Sequence, residues 1–195
     1  SNDYENIIKI ISNLDKSIIE ICEAESYELK LQEMPQSEVQ DYEKTIVNKY
    51  GTLVSNCFVL PSNFIAEPMN NLREFSDKLV LQEKIRREID FFESDYDTDS
   101  PELGSFLSKT KPLTVILAMK DANPSQKRQL GEIYIQRVID PKNIKKIKDI
   151  CIQIDAVNKI KILSDGYKKY SLNIMNELGF DDSEKDKIFD ILKDI

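Results

Sequence analysis

Apolar residues recur every three or four positions along nearly the whole chain, the spacing of one face of an α-helix. Ile7, Ile11, Leu14, Ile18, Ile21 and Leu29 form the first stripe, which Glu25 interrupts. Ser37 with Gln40 three residues on predicts a capping box opening a second helix. That helix carries Val39, Tyr42, Ile46, Tyr50, Leu53 and Cys57, and Pro61 stops it by removing a donor. A third stripe runs from Met69 through Leu72, Phe75, Leu79, Ile85 and Ile89 to Phe92. The pattern then fails. Residues 93–112 hold Asp95, Asp97, Asp99, Pro101 and Gly104 and read as a loop. Beyond it, Leu113 to Met119 predicts a short apolar helix, and Asn123-Pro124 and Asp140-Pro141 each predict a cap followed by proline in the first helical turn. The helices they open carry Leu130, Ile133, Tyr134 and Val138, then Ile144, Ile147, Cys151 and Ile154. A long helix from about Val157 to Leu178 should end at Gly179, with Phe180 folding back, and Ser183 should cap a last helix bearing Ile188, Ile191 and Leu192.

No stretch alternates cleanly enough for a strand. The expectation is an all-α protein, one antiparallel helical bundle over residues 1–195 with short connections. Five glycines leave little material for Gly-rich phosphate loops. A net charge of −8, spread along the chain, argues against a nucleic-acid-binding face. No apolar run approaches the roughly 18 residues of a membrane span. Three cysteines, Cys22, Cys57 and Cys151, sit within apolar runs at wide spacing and read as buried thiols of a reducing, cytoplasmic protein. The absence of histidine excludes Ser-His-Asp and Cys-His catalysis and ordinary zinc sites. Carboxylates, amines and a hard metal such as Mg²⁺ remain.

Four groups of residues could carry such chemistry. Glu25 and Glu28, three apart on one helix, could share a cation. Asp95, Asp97 and Asp99 match the start of a calcium loop, but Ser100 and Phe106 stand where that loop needs Gly and Glu, which excludes an EF-hand. Arg86 and Arg87 lie among Glu83, Glu88 and Asp90, the pattern of surface ion pairs. Lys49, Lys109 and Lys111 are cations near predicted helix ends.

The order of segments resembles the C-terminal part of the trans-isoprenyl (polyprenyl) diphosphate synthases. IIEICEAESYELKLQEM is similar to that family's ExCEGQxxDL helix, with Glu25 and Glu28 at the Gln and Asp positions. DYEKTIVNKYGTLVSNCFVL is similar to its YxxMIxxKTGALF helix, with Lys49 at the lysine. LREFSDKLVLQEKIRREIDFFESD looks like the helix of the second aspartate-rich motif. ELGSFLSKTKPLTVILAMK is similar to the ELGK and GKxT segment, with Lys111 at the lysine of GKxT, and DGYKKYSLNIMNELGF resembles the closing helix. A looser likeness runs to divergent relatives that prenylate peptide pheromones. The resemblance implies the isoprenoid (terpenoid) synthase fold without its N-terminal helices. It implies Mg²⁺, an allylic diphosphate, an isoprenoid or peptide acceptor, and a dimer. The dimer would join like chains, or pair this chain with one that carries the first aspartate-rich motif. It gives Lys49, Lys111, Arg86 and Arg87 to the diphosphate, and Glu25, Glu88 and Asp90 to the metal.

The departures from that family bear directly on activity. Its first DDxxD has no counterpart in this sequence. The second becomes Arg87-Glu88-Ile89-Asp90-Phe91, or, shifted by one residue, puts Arg86, Arg87 and Asp90 on the acidic positions; either way an arginine stands where Mg²⁺ should bind. Ser105 replaces the lysine of ELGK. The family's chemistry ionises an allylic diphosphate under three Mg²⁺ held by both carboxylate clusters. The expectation is therefore a synthase-like protein that does not transfer prenyl groups as this chain alone, or a non-catalytic helical subunit that keeps the fold.

Overall fold

The computed structural model describes residues 2–34, 36–62, 71–94 and 101–193. Among them every regular element is helical: α1 (Asn2–Glu33), α2 (Val39–Ile46), α3 (Thr52–Ser62), α4 (Leu72–Glu93), α5 (Pro101–Leu107), α6 (Leu113–Asp121), α7 (Pro124–Tyr134), α8 (Lys142–Gln153), α9 (Ala156–Glu177) and α10 (Asp182–Leu192). A π-helical turn, Val47–Gly51, joins α2 to α3 without a break. No described helix is long and apolar enough to cross a membrane.

The chain divides into two compact units. The first comprises Ser1–Ser26, Lys44–Glu83 and Asp165–Ile195. Its core packs Phe75, Leu79 and Val80 of α4 against Val54 of α3, Met175 of α9 and Leu192 of α10. Phe58 meets Phe75 edge to face at 5.4 Å. The second comprises Tyr27–Glu43 and Lys84–Ser164. Its core joins Phe91 and Phe92 to Phe106, Val115, Leu130, Tyr134, Ile144, Ile147 and Cys151. In each the buried residues follow the stripes of the sequence, because a helix gains most by turning its apolar face inward.

Local chemistry decides the helix ends. Asn123 caps α7 as expected, in a capping box with Gln126, Asp140 Oδ1 accepts from Lys142 N–H at 2.9 Å, and Gly179 takes φ +79° at the end of α9. Ser37 does not cap α2. Its hydroxyl is buried without a hydrogen-bond partner, and Asp41 turns back to Glu38 N–H instead (2.9 Å). Asp181, not Ser183, caps α10, paired with Glu184 in a capping box. Within the stretch read as a loop, Pro101–Leu107 is helical. Proline fits a first helical turn, and Leu103 and Phe106, three apart, are buried on one face. Val138 lies past the end of α7 and is exposed, and Ile139 enters the core instead. Met69 and the Asp95–Asp99 cluster lie outside the described residues.

Two expectations about burial change. Cys151 is buried, but Cys22 and Cys57 are exposed. On α1, Ile7, Ile11, Leu14, Ile18 and Leu29 are all exposed. The stripe has the predicted spacing, but among the described residues α1 buries Ser17, Ala24 and Leu31 instead.

Candidate functional site

In the first unit, Glu25 and Lys49 meet. Lys49 Nζ lies 2.8 Å from Glu25 Oε1 and 5.4 Å from the centre of the Tyr50 ring. Lys49 is carried by the π turn, in which Thr52 N–H reaches back five residues to the Val47 carbonyl. The extra residue rotates the following turn and sets Gly51 against α4. A Cβ on Gly51 would stand 2.7 Å from Asp77 Oδ1. Asp77 is held by Arg73, whose guanidinium also binds Thr52 (3.0 Å) and Glu20 (3.2 Å). Burial pushes the Asp77 carboxyl up, and Arg73 opposes that shift.

In the second unit, Glu88 does something the sequence does not announce. The N-cap position of α6 is Pro112, which offers no side-chain cap. Glu88, projecting from α4, supplies it. Its two oxygens accept from Leu113 N–H (3.1 Å), Thr114 N–H (3.2 Å) and the Thr114 hydroxyl (3.1 Å), and Tyr42 donates a further bond. Removal from water raises the Glu88 pKa, and those four hydrogen bonds hold it down in part. The arrangement also suits the positive end of the α6 dipole.

Lys111 is the converse. Its ammonium donates to the Leu31 carbonyl (2.5 Å), which also accepts from Met34 N–H (3.3 Å), and to the Met34 carbonyl (2.7 Å), acceptors where α1 ends. Burial and then the neighbouring Lys109 lower its pKa. Lys109 pairs with Glu33 at 3.8 Å. Lys148 does the same for α4, donating to the Phe91 and Ser94 carbonyls with its Nζ 4.2 Å from the centre of the Phe91 ring. Lys148 is not among the residues that the sequence motifs single out. Its signal was there: it lies on the stripe of Ile144, Ile147 and Cys151, as Glu88 lies on that of Ile85, Ile89 and Phe92. A charge on a buried stripe must have a buried partner.

Arg86 and Arg87 pair locally. Arg86 binds Asp90 one turn along α4, and Arg87 lies 4.0 Å from Glu102 of α5. The seven predicted residues thus sort by how firmly they are held. Glu25, Lys49, Arg86, Arg87 and Asp90 sit in ion pairs that are wholly or partly open to water, each worth under about 1 kcal/mol. Glu88 and Lys111 satisfy helix ends that would otherwise be unpaired. Mg²⁺ requires carboxylate oxygens with free lone pairs in near-octahedral array. Those of Glu88 are filled by protein donors, and no group of three Asp, Glu, His or Cys among the described residues could hold a metal ion. The described residues do not make the Mg²⁺ site that the resemblance implies.

No protein-family model and no curated protein sequence matches the chain. Solved structures do. Geranylgeranyl pyrophosphate synthase from Lactobacillus brevis ATCC 367 superposes with a TM-score of 0.78 at 17% identity, over 96% of this chain and 59% of that one. Polyprenyl synthase from Caulobacter crescentus CB15, solved with calcium and isoprenyl diphosphate, gives 0.75 at 14%, over 98% and 59%. Heptaprenyl diphosphate synthase from Staphylococcus aureus gives 0.72 at 19%, over 95% and 58%. The chain spans about three-fifths of the length of each. At these identities what is shared is the fold.

Proposed function

We propose, from the polyprenyl-synthase fold that this chain carries, that it is the scaffold of an isoprenyl diphosphate synthase-like protein and does not transfer a prenyl group by itself. The observation behind this reading is the engagement of Glu88. Glu88, the carboxylate in register with the second aspartate-rich motif when the motif is aligned without a shift, is used to cap α6. Transfer from an allylic diphosphate needs the leaving group's charge neutralised as the carbon–oxygen bond breaks. This chain would need carboxylates for Mg²⁺ from another polypeptide region, such as a partner chain bearing the first aspartate-rich motif. With them the acceptor would be an isoprenoid or a peptide, in the cytoplasm. Lys49, Arg86 and Arg87 are the cations that a diphosphate could take from their present partners at small cost; Lys111 could not be taken without uncapping α1.

A second reading, a non-catalytic partner subunit, is favoured by Lys111, whose diphosphate role is replaced by that cap. Calorimetry of the chain with geranyl diphosphate and Mg²⁺ separates the two. The synthase-like reading expects binding that Lys49→Met weakens. Absence of any binding would leave the subunit reading.

A further inference from the structure

Ile135 is 83% exposed, the most open large apolar side chain among the described residues, and Val138, three positions on, is 62% exposed. Both lie in the connection between α7 and α8, within the second unit. Leu130 and Ile133 of α7 share a core with Ile144 and Ile147 of α8, and Gln126 in the first turn of α7 meets Gln153 at the end of α8 (3.4 Å). The two helices therefore form an antiparallel hairpin, and residues 135–141 are its tip. Other residues serve the fold there. Tyr134 and Ile139 are buried, and Ile139 N–H donates to the Leu107 carbonyl (3.1 Å). Ile135 and Val138 are left to water.

Cations surround them. Arg137 stands beside Val138, and Lys142, Lys145 and Lys146 share the outer face of the first turns of α8. All four are exposed, and none makes an ion pair among the described residues. The nearby carboxylates are engaged or set back. Glu132 holds Arg128 (2.9 Å), Asp140 accepts from Lys142 N–H (2.9 Å), and Asp149 lies a turn further from the tip.

We infer that the tip of the α7–α8 hairpin docks on an anionic bilayer surface, with Ile135 and Val138 entering the headgroup boundary and the four cations meeting lipid phosphates. A lipid surface answers both halves of this patch. It takes apolar side chains out of water and attracts the basic ones around them. The long stems of Arg137 and the lysines let their charges stay at the phosphates while the apolar pair goes deeper. The chain's net charge of −8 opposes approach as a whole. Charges more than about 8–10 Å from the membrane are screened, so the tip's own cations set the orientation. Residues 135–146 contain no aromatic side chain on which a base could stack, which favours a bilayer over a nucleic acid. None of Lys49, Arg86, Arg87 and Lys111 belongs to the patch, and the inference stands whether or not the chain transfers prenyl groups.

Co-sedimentation with sucrose-loaded vesicles tests it. The chain should pellet with vesicles of phosphatidylcholine and phosphatidylglycerol in equal parts, stay in solution with phosphatidylcholine alone, and be released by added salt. Lys145→Gln with Lys146→Gln should lower the partition coefficient about thirtyfold, the effect of two lysines near an anionic surface. Ile135→Ser with Val138→Ser should lower it on the order of tenfold. All four positions are exposed, so circular dichroism of these variants should match the wild type. Lys169→Gln with Lys187→Gln makes the same change of net charge on exposed residues of α9 and α10 and should leave binding as it is. A chain that ignores the anionic vesicles, binds both kinds equally, or responds to the α9 and α10 substitutions as much as to those of the tip would overturn the inference. So would release by glycerol phosphate at matched ionic strength, which marks a site for a free phosphate, or retention on a DNA duplex in place of vesicles.

Discussion

The carboxylate of Glu88 holds Thr114 at two points, its backbone N–H at 3.2 Å and its hydroxyl at 3.1 Å. A residue of α4 thereby closes the open end of α6, twenty-six positions further on. Glu88 and Thr114 both belong to the second unit, and the bond ties the second-unit part of α4 to the register of α6.

Removing that carboxylate should be felt as stability. Glu88→Ala leaves the Leu113 and Thr114 donors without partners and should cost about 2–3 kcal/mol. Urea unfolding followed by circular dichroism reads it directly. A loss within about 0.5 kcal/mol, the range of an ordinary surface substitution, would mean that the cap is not formed.

The pH dependence of the same site has a definite sign. The folded-state pKa of Glu88 is raised above its unfolded value by desolvation. The folded protein therefore binds this proton more tightly than the unfolded chain does. The stability that results is present below the ordinary glutamate pKa, about 4.3, and is lost as pH rises through the raised value. Measured against Glu88→Gln, the wild type should lose stability with rising pH across that window and then run level. A difference that grows with pH would contradict the assignment.

Lys111→Met keeps most of the buried stem and deletes the donors to the Leu31 and Met34 carbonyls. The expected loss is about 1–3 kcal/mol, since the Met34 carbonyl loses its partner and that of Leu31 keeps only the weaker bond from Met34 N–H. Hydrogen exchange should show the last turn of α1 opening first. Full stability with unchanged exchange there would exclude the cap.

Gly51→Ala should destabilise the first unit by about 1–2 kcal/mol, since its Cβ would press on Asp77 Oδ1. The contact is with a side-chain end, so Asp77→Ala should relieve part of it. A double-mutant cycle on thermal unfolding should give a coupling energy of at least about 0.5 kcal/mol. Strict additivity would show that the close approach is absent.

Much of the helical frame could be read from spacing, because the buried residues of each unit follow i, i+3 and i+4. Asn123 and Gly179 were also legible, since a cap or a left-handed turn is decided within a few residues. Ser37 and Ser183 were not, because a nearby aspartate, Asp41 or Asp181, pairs with another backbone donor, Glu38 N–H or Glu184 N–H, at the helix start. Glu88 and Lys111 were visible as chemistry but not as caps. Their partners lie 25 to 80 positions away, and no local pattern encodes that distance. The stripe of α1 shows the limit of periodicity most plainly. Spacing specified which residues share a face, while exposure depended on whether another helix was there to cover it.

The claim that this chain does not transfer prenyl groups alone is tested most directly by turnover. The purified chain, given geranyl and isopentenyl diphosphates with Mg²⁺ and followed by continuous release of diphosphate, should give a rate no higher than that without protein. Mg²⁺-dependent release with an elongated prenyl product, abolished by Glu88→Gln, would show that Glu88 can leave the α6 cap for a metal ion and would contradict the account.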